Sequence, residues 1–182
     1  MFQRTVKELK MSLEGKHVAI MLDQKYQELE VWYPLYRLVE AGAKVSCVAA
    51  QAGREYSSKL GYPCVSDVAA SEVRGEDFDA VVVPGGWCPD FMRRDESMVG
   101  FIHQCVEADI VLAAICHGPW MLCSTDALRG RRATSFMAIR HDVINAGAEW
   151  IDQECVVDGK LITARKPDDL PAFMKAIIDA LS

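Results

Sequence analysis

The stretch from Ile110 to Pro119, Ile-Val-Leu-Ala-Ala-Ile-Cys-His-Gly-Pro, constrains this chain more than any other. Its apolar run, Ile110 to Ile115, has the length and residue type of a strand buried on both faces, and it stops abruptly at Cys116-His117-Gly118. Where a buried strand turns sharply into a helix, the turn residue sits at the strand's carboxyl end with its side chain facing a crevice. The first N–H groups of that helix are unpaired and lie at its positive end, so they suit a lowered thiol pKa and a stabilised oxyanion. Gly118 lets the chain come close, and Pro119 has no N–H to leave unsatisfied in a first turn. A lone cysteine in an apolar run is usually a small core residue. Cys116 stands instead at the end of the run, beside a histidine and a glycine-proline pair, and this context marks it as a nucleophile.

The rest of the chain alternates strands and helices around that elbow. His17 to Leu22 reads as a central strand closed by Asp23, and Leu29, Trp32, Leu35, Tyr36 and Val39 recur at helical spacing until Ala41-Gly42. Lys44 to Ala50 is a second strand, and Gln51 to Asp67 a loop with a short hairpin. Ala80 to Val83 is a third, stopping at Pro84-Gly85-Gly86. A helix from about Glu96 to Glu107 precedes the elbow strand, and another begins at Trp120 and ends near Asp126. Arg129 to Thr134 is a turn into a short edge strand, Ala138 to Ala146 a helix, and Glu149 to Arg165 a hairpin turning at Asp158-Gly159. Asp168 is positioned to cap a last helix whose stripe of Leu170, Phe173, Met174, Ile177, Ile178 and Leu181 is core. The pattern predicts a doubly wound, mostly parallel α/β sheet with helices on both faces. Ligands bind such sheets at the strands' carboxyl ends, where Cys116, Gly85-Gly86 and the loop after Asp23 all fall.

Residues 16–182 are expected to form a single domain, with 1–15 an N-terminal extension whose Phe2, Val6, Leu9 and Leu13 have near-helical spacing. A net charge of -6 leaves no basic footprint for nucleic acid or an acidic membrane, and points to small-molecule or protein substrates. Seven scattered cysteines without a Cys-x-x-Cys pair argue against a disulfide framework or a structural zinc site and for a reducing, cytoplasmic compartment. No apolar stretch reaches the roughly 18 residues of a membrane span. No cofactor and no metal is expected.

An unperturbed thiol, with a pKa of about 8.5, is mostly protonated at neutral pH and needs a neighbouring proton acceptor. Glu28 and Glu30 stand where the first strand hands over to the first helix, and each has an equal claim to that role or to being a solvated charge at a helix start. His117 is adjacent in sequence and need not lie on the sulfur. It would need a carboxylate to fix its tautomer, for which Asp90 is available, although on the residues alone Asp90 reads as a turn residue.

Ala114-Ile-Cys-His-Gly-Pro119, together with Pro84-Gly-Gly86, Gly130-Arg131, Asn145-Ala-Gly147 and Arg165-x-Pro-Asp-Asp-Leu-Pro171, resembles the ThiJ/PfpI superfamily. Within it the chain is most similar to the PfpI branch of intracellular cysteine proteases and stress proteins. The resemblance runs from about His17 to the C-terminus and implies a flavodoxin-like fold. It implies Cys116 as nucleophile, Glu30 as the acid hydrogen-bonded to the thiol, and His117 as the branch histidine. It also implies an oxyanion hole from Gly86 and the His117 amide. Asp90 falls where the branch places an acid that reaches His117 from a neighbouring subunit, so a homodimer or larger oligomer is expected to complete a Cys-His-acid triad. Trp120, Phe136 and Gln27 depart from residues common in relatives and put substrate transfer in doubt more than the nucleophile.

The leading expectation is a Cys-dependent hydrolase of the PfpI type acting on a peptide or a small carbonyl substrate. The alternative is a glutathione-independent glyoxalase or deglycase, with Cys116 adding to a 2-oxoaldehyde such as methylglyoxal and Glu30 moving a proton between adjacent carbons. A non-enzymatic redox sensor or chaperone is a further alternative. A glutamine amidotransferase would need a downstream His-x-Glu pair, whereas His141, the only later histidine, is followed by Asp142-Val143. Neither Gly-x-Gly-x-x-Gly nor a phosphate loop is present to support a nucleotide-binding module.

Overall fold

A computed structural model describes residues 12–182. In chain order it contains β1 (His17–Met21), α1 (Glu28–Glu40), β2 (Lys44–Ala49), β3 (Glu55–Ser57), β4 (Pro63–Val65), β5 (Val68–Ala69) and β6 (Ala80–Val83). There follow α2 (Cys88–Met92), α3 (Glu96–Glu107), β7 (Val111–Ile115), α4 (Pro119–Leu122), β8 (Arg132–Ala133), α5 (Arg140–Asn145), β9 (Glu149–Trp150), β10 (Cys155–Asp158), β11 (Leu161–Ala164) and α6 (Leu170–Leu181).

Seven strands form the main sheet in the order β10-β11-β7-β6-β1-β2-β5, parallel except where β10 returns along β11. The strands at its centre are apolar throughout because both faces are covered. Every residue of β6, β7 and β11 is buried. From β1 the chain steps outward to β2, then crosses back to start β6 on the other side, so the strand order reverses between β1 and β6. Right-handed crossovers on either side of that reversal put helices on opposite faces. Helices α1 and α6 pack against one another, while α3 packs against α4. The register aligns Val83 with Ala114 and Ala164 with Ile115, so β6, β7 and β11 end close together and their loops meet at one edge.

Several expectations are corrected. The elbow helix α4 is four residues long, and the chain turns onward to Asp126 instead of continuing as helix. Asp168 does not cap α6. The cap is Asp169, whose buried carboxylate is turned back to Arg165, accepting from its Nε at 2.9 Å. Glu149 to Arg165 is not one hairpin, because β9 leaves it to pair in parallel with β8, and only β10 and β11 turn about Gly159. The loop after Gly86 contains α2, which has too few residues to show a periodicity. Leu13, assigned to the extension, is fully buried in the core and donates its N–H to Ala41 at 2.9 Å. The remainder of the helical expectation for the first residues lies outside the described part of the chain. Among the described residues no helix is long and apolar enough to cross a membrane.

Candidate active site

Cys116 lies one residue past β7 with φ of 62°, a left-handed backbone angle that is strained for any side chain bearing a Cβ. The strain is held by packing on both sides. The Cys116 N–H donates to Ala164 at 3.0 Å, and its carbonyl accepts from Phe136 at 2.8 Å. Gly118 is required, because a Cβ there would stand 2.2 Å from the Val83 carbonyl oxygen.

The β6 end supplies the opposite wall. A Cβ on Gly85 would lie 2.7 Å from the Cys116 Cβ and 2.8 Å from Glu30 Oε2, so only glycine lets nucleophile and acid approach. Gly86, with φ of +79°, zips onto the loop after β1. Gln27 donates to the Gly85 carbonyl at 3.2 Å and Trp87 donates to Lys25 at 2.9 Å. The amides of Gly86 and His117 both favour the ionised form of the Cys116 sulfur.

Of the two acids at the start of α1, the structure selects Glu30. It is fully buried, and its Oε2 accepts the Gly85 N–H at 2.7 Å. Oε1 is buried with no hydrogen-bond partner among the described residues, and the Cys116 thiol is close enough to stabilise the carboxylate. Burial pushes the Glu30 carboxyl up to about 8, against the pull of the Gly85 amide and the thiol. Glu28 instead accepts from Ser58 Oγ at 2.5 Å and from the Leu60 N–H, on the outer side of the helix.

His117 does lie on the sulfur, with Nδ1 at 3.4 Å from Sγ. Its ring stacks on Phe136 with centroids 5.0 Å apart and meets Trp120 edge-on at 5.6 Å. Burial, and then the Lys59 charge, lower its pKa, so the imidazole is neutral at pH 7. The lowering of the thiol pKa expected from the helix start is opposed by burial. Burial pushes the Cys116 thiol up to about 12, the charge of an ionised Glu30 adds to the rise, and the two amides offset only part of it. The resting site therefore holds a thiol flanked by a proton acceptor, His117, and a carboxyl that keeps its own proton below about pH 8.

Asp90 is not brought to His117 within the chain. It lies on α2, half-exposed, and pairs with Arg94. His141 is exposed on α5, and Asp142 accepts from Trp120 Nε1 at 3.0 Å, so no second histidine serves Cys116. Among the described residues no group of three or more His, Cys, Asp or Glu side chains is placed to hold a metal ion.

The cavity over Cys116 has a volume of about 450 Å³. Besides Cys116, His117, Gly86, Phe136 and Gln27, it is lined by Lys59, Trp87, Ala138 and Pro167, none of which the sequence placed at the site, although Pro167 belongs to the Arg165–Pro171 motif. Trp87 follows the glycine pair directly and was open to notice. Lys59 comes from a distant loop and carries no local signal, and the motif that holds Pro167 does not by itself point to Cys116.

The profile of the DJ-1/PfpI family matches residues 16–180. The chain belongs to the DJ-1/PfpI family. Over 164 residues it is 42% identical to the protein named deglycase TK1284 of Thermococcus kodakarensis, covering 90% of this chain and 98% of that one. It is 40% identical over 169 residues to protein/nucleic acid deglycase 2 of Escherichia coli, covering 92% and 98%. It is 39% identical over 167 residues to YraA of Bacillus subtilis, whose name marks it as a candidate cysteine protease, covering 92% and 99%. Among solved structures, it superimposes with a TM-score of 0.89 and 41% identity on an Anabaena variabilis protein that joins a DJ-1/ThiJ/PfpI-like domain to a ferritin-like one. That match covers 91% of this chain and about half (48%) of the two-domain protein. Drosophila melanogaster DJ-1beta superimposes with a TM-score of 0.84 at 25% identity, covering 91% and 90%.

On this DJ-1/PfpI frame the three departures have defined places. Gln27 caps α1, its Oε1 accepting the Glu30 N–H at 3.0 Å, and so holds the acid in position. Phe136 and Trp120 enclose the His117 ring, which makes the cavity wall more apolar and pushes the histidine toward its neutral form.

Proposed function

We propose that this DJ-1/PfpI protein is a Cys116-dependent enzyme that converts 2-oxoaldehydes of the methylglyoxal type, free or released from their reversible adducts, to 2-hydroxy acids without glutathione. The observation that carries the reading is the placement of two groups of opposite protonation state on one sulfur: neutral His117 at 3.4 Å, and the buried Glu30 carboxyl, protonated below about pH 8. Environments that set two titratable groups apart in this way divide acid and base roles between them.

His117 takes the thiol proton as Sγ bonds to the aldehyde carbon, and the carbonyl electron pair moves to oxygen between the Gly86 and His117 amides. The oxygen is then protonated, giving a hemithioacetal. Neutral His117 takes the aldehyde C–H as a proton, and the electron pair moves through the new C–C double bond to the neighbouring carbonyl oxygen, which Glu30 protonates to give an enediol. The His117 proton then returns to the neighbouring carbon, and the hemithioacetal hydroxyl gives its proton back to Glu30 as the thioester carbonyl forms. The first carbon is thereby oxidised and the second reduced, with no outside electron acceptor. Water cleaves the resulting thioester, the thiol regains its proton, and the hydroxy acid departs. A cavity of about 450 Å³ with aromatic walls favours this small substrate over a peptide held along an open groove. We further propose that Asp90 of a neighbouring subunit orients His117 in an oligomer. The resemblance to the PfpI branch supports this, as does the half-exposed position of Asp90 in the cavity adjoining the site.

The test is lactate formation from methylglyoxal without glutathione, beside a fluorogenic peptide. Cys116→Ala is expected to abolish lactate formation, and Glu30→Gln to lower kcat by roughly 100-fold. Peptide cleavage dependent on Cys116 in the absence of lactate would replace this reading with the hydrolase. Silence in both assays would leave the thiol a sensor.

A further inference from the structure

A second cavity, of about 440 Å³, is lined by Lys25, Lys59, Trp87, Asp90 and Phe91, and it shares Lys59 and Trp87 with the first. Lys59 therefore borders the cavity over Cys116, and Lys25 the adjoining one. Asp90 is paired with Arg94, whereas neither Lys25 nor Lys59 forms an ion pair among the described residues. The Lys59 charge acts on Glu28, whose Oε1 accepts from Ser58 and the Leu60 N–H, without a direct ion pair. Two lysines without an ion pair beside Cys116 stand out on a chain whose net charge is -6.

Both lysines are fixed by their backbones. The Lys59 N–H donates to the Tyr26 carbonyl at 2.9 Å, and Tyr26 is fully buried. Lys25 has φ of 60°, a strained angle for a non-glycine residue, and is held there by its N–H to Ser57 at 2.7 Å and by the Trp87 N–H on its carbonyl. The Lys59 charge is felt at the reacting groups, since it lowers the pKa of both His117 and Glu30.

We propose that Lys59 and Lys25 form an anion subsite beside Cys116, so that the preferred substrates are oxoaldehydes or adducts carrying a carboxylate or phosphate beyond the reacting carbonyl, toward Trp87. The substrate class rests on the carbonyl chemistry proposed above, but the subsite does not. The second cavity is lined by Trp87 and Phe91 beside the two lysines, which suits a planar group that carries an anion.

The experiment has two arms. In the first, Cys116 is alkylated with iodoacetate and with iodoacetamide, and the rate at the Cys116 peptide is followed by mass spectrometry, normalised to a free model thiol. The expected result is an iodoacetate preference of about fivefold to tenfold over the model thiol, shrinking with added salt. Lys59→Gln should lower it severalfold, Lys25→Gln less, Lys59→Arg should retain it, and Lys175→Gln, on α6 outside both cavities, should leave it unchanged. A wild-type ratio equal to that of the model thiol, or one unmoved by Lys59→Gln, overturns the subsite. In the second arm, kcat/KM is compared for phenylglyoxal and 4-carboxyphenylglyoxal. A carboxylate preference that falls with Lys59→Gln supports the subsite and its substrate class. Turnover of neither compound beside an intact iodoacetate preference supports the subsite and removes the glyoxalase reading. Equal turnover of both in wild type overturns the proposed preference.

Discussion

Glu30 is the residue whose burial has the widest consequences. Its carboxyl ionises near the ordinary 4.5 in the unfolded chain, whereas burial pushes it up to about 8 in the fold. Between those values the folded state binds more protons than the unfolded one, so stability falls as pH rises across the window and levels off above it. Glu30→Gln carries no proton to lose and removes this slope. Relative to wild type, the variant should gain on the order of 3 kcal/mol between pH 5 and pH 8.5 while losing activity. Urea titrations at the two pH values measure the gain. A difference that stays flat with pH would show that Glu30 is ionised in the fold. A buried acid held at a stability cost and aimed at a thiol fits a catalytic role better than a structural one.

At the scale of elements, the site is made by the ends of β6 and β7, which the parallel register brings level. Gly85 is the contact between them. Gly85→Ala should push a methyl group into Cys116, the His117 N–H and Glu30, whose nearest atoms stand 2.7–2.8 Å from the added carbon. Overpacking of this kind costs about 1–3 kcal/mol, and a displaced elbow lowers kcat roughly 100-fold. Calorimetry and initial rates check both, and an active variant of unchanged Tm would mean that the two strand ends part more freely than their packing implies. The elbow itself was legible, because a run of six apolar residues ending in Cys-His-Gly-Pro leaves few alternatives. The short α2 and the pairing of β8 with β9 were not, since a five-residue helix carries no usable period and the partner of a two-residue strand is set only by tertiary contacts.

At the scale of the whole molecule, the described chain brings Cys116, His117, Glu30 and Gly85-Gly86 together but leaves His117 without a carboxylate partner. If Asp90 of a neighbouring subunit supplies it, specific activity should fall on dilution in step with the dissociation seen by sedimentation. Asp90→Asn should then be slowed roughly 100-fold at every concentration. Full activity at dilutions where the protein sediments as a monomer would show that one chain is sufficient.

The sequence by itself determined the parallel α/β class, the position of Cys116 at a strand end and the two glycine-bearing loops at the same edge. Each of these follows from local apolar runs and from turn chemistry. Position along the chain left Glu28 and Glu30 on equal terms, because helix-start acids look alike until packing buries one at the β6 end and turns the other toward Ser58. The resemblance to the PfpI branch pointed to Glu30, and the tertiary structure supplies the physical reason. Only the tertiary structure decided that burial outweighs the elbow amides at the thiol, and that Lys59 and Pro167 stand over Cys116. Burial and convergence depend on what the folded chain lays across a residue, and that is not written in its immediate neighbours.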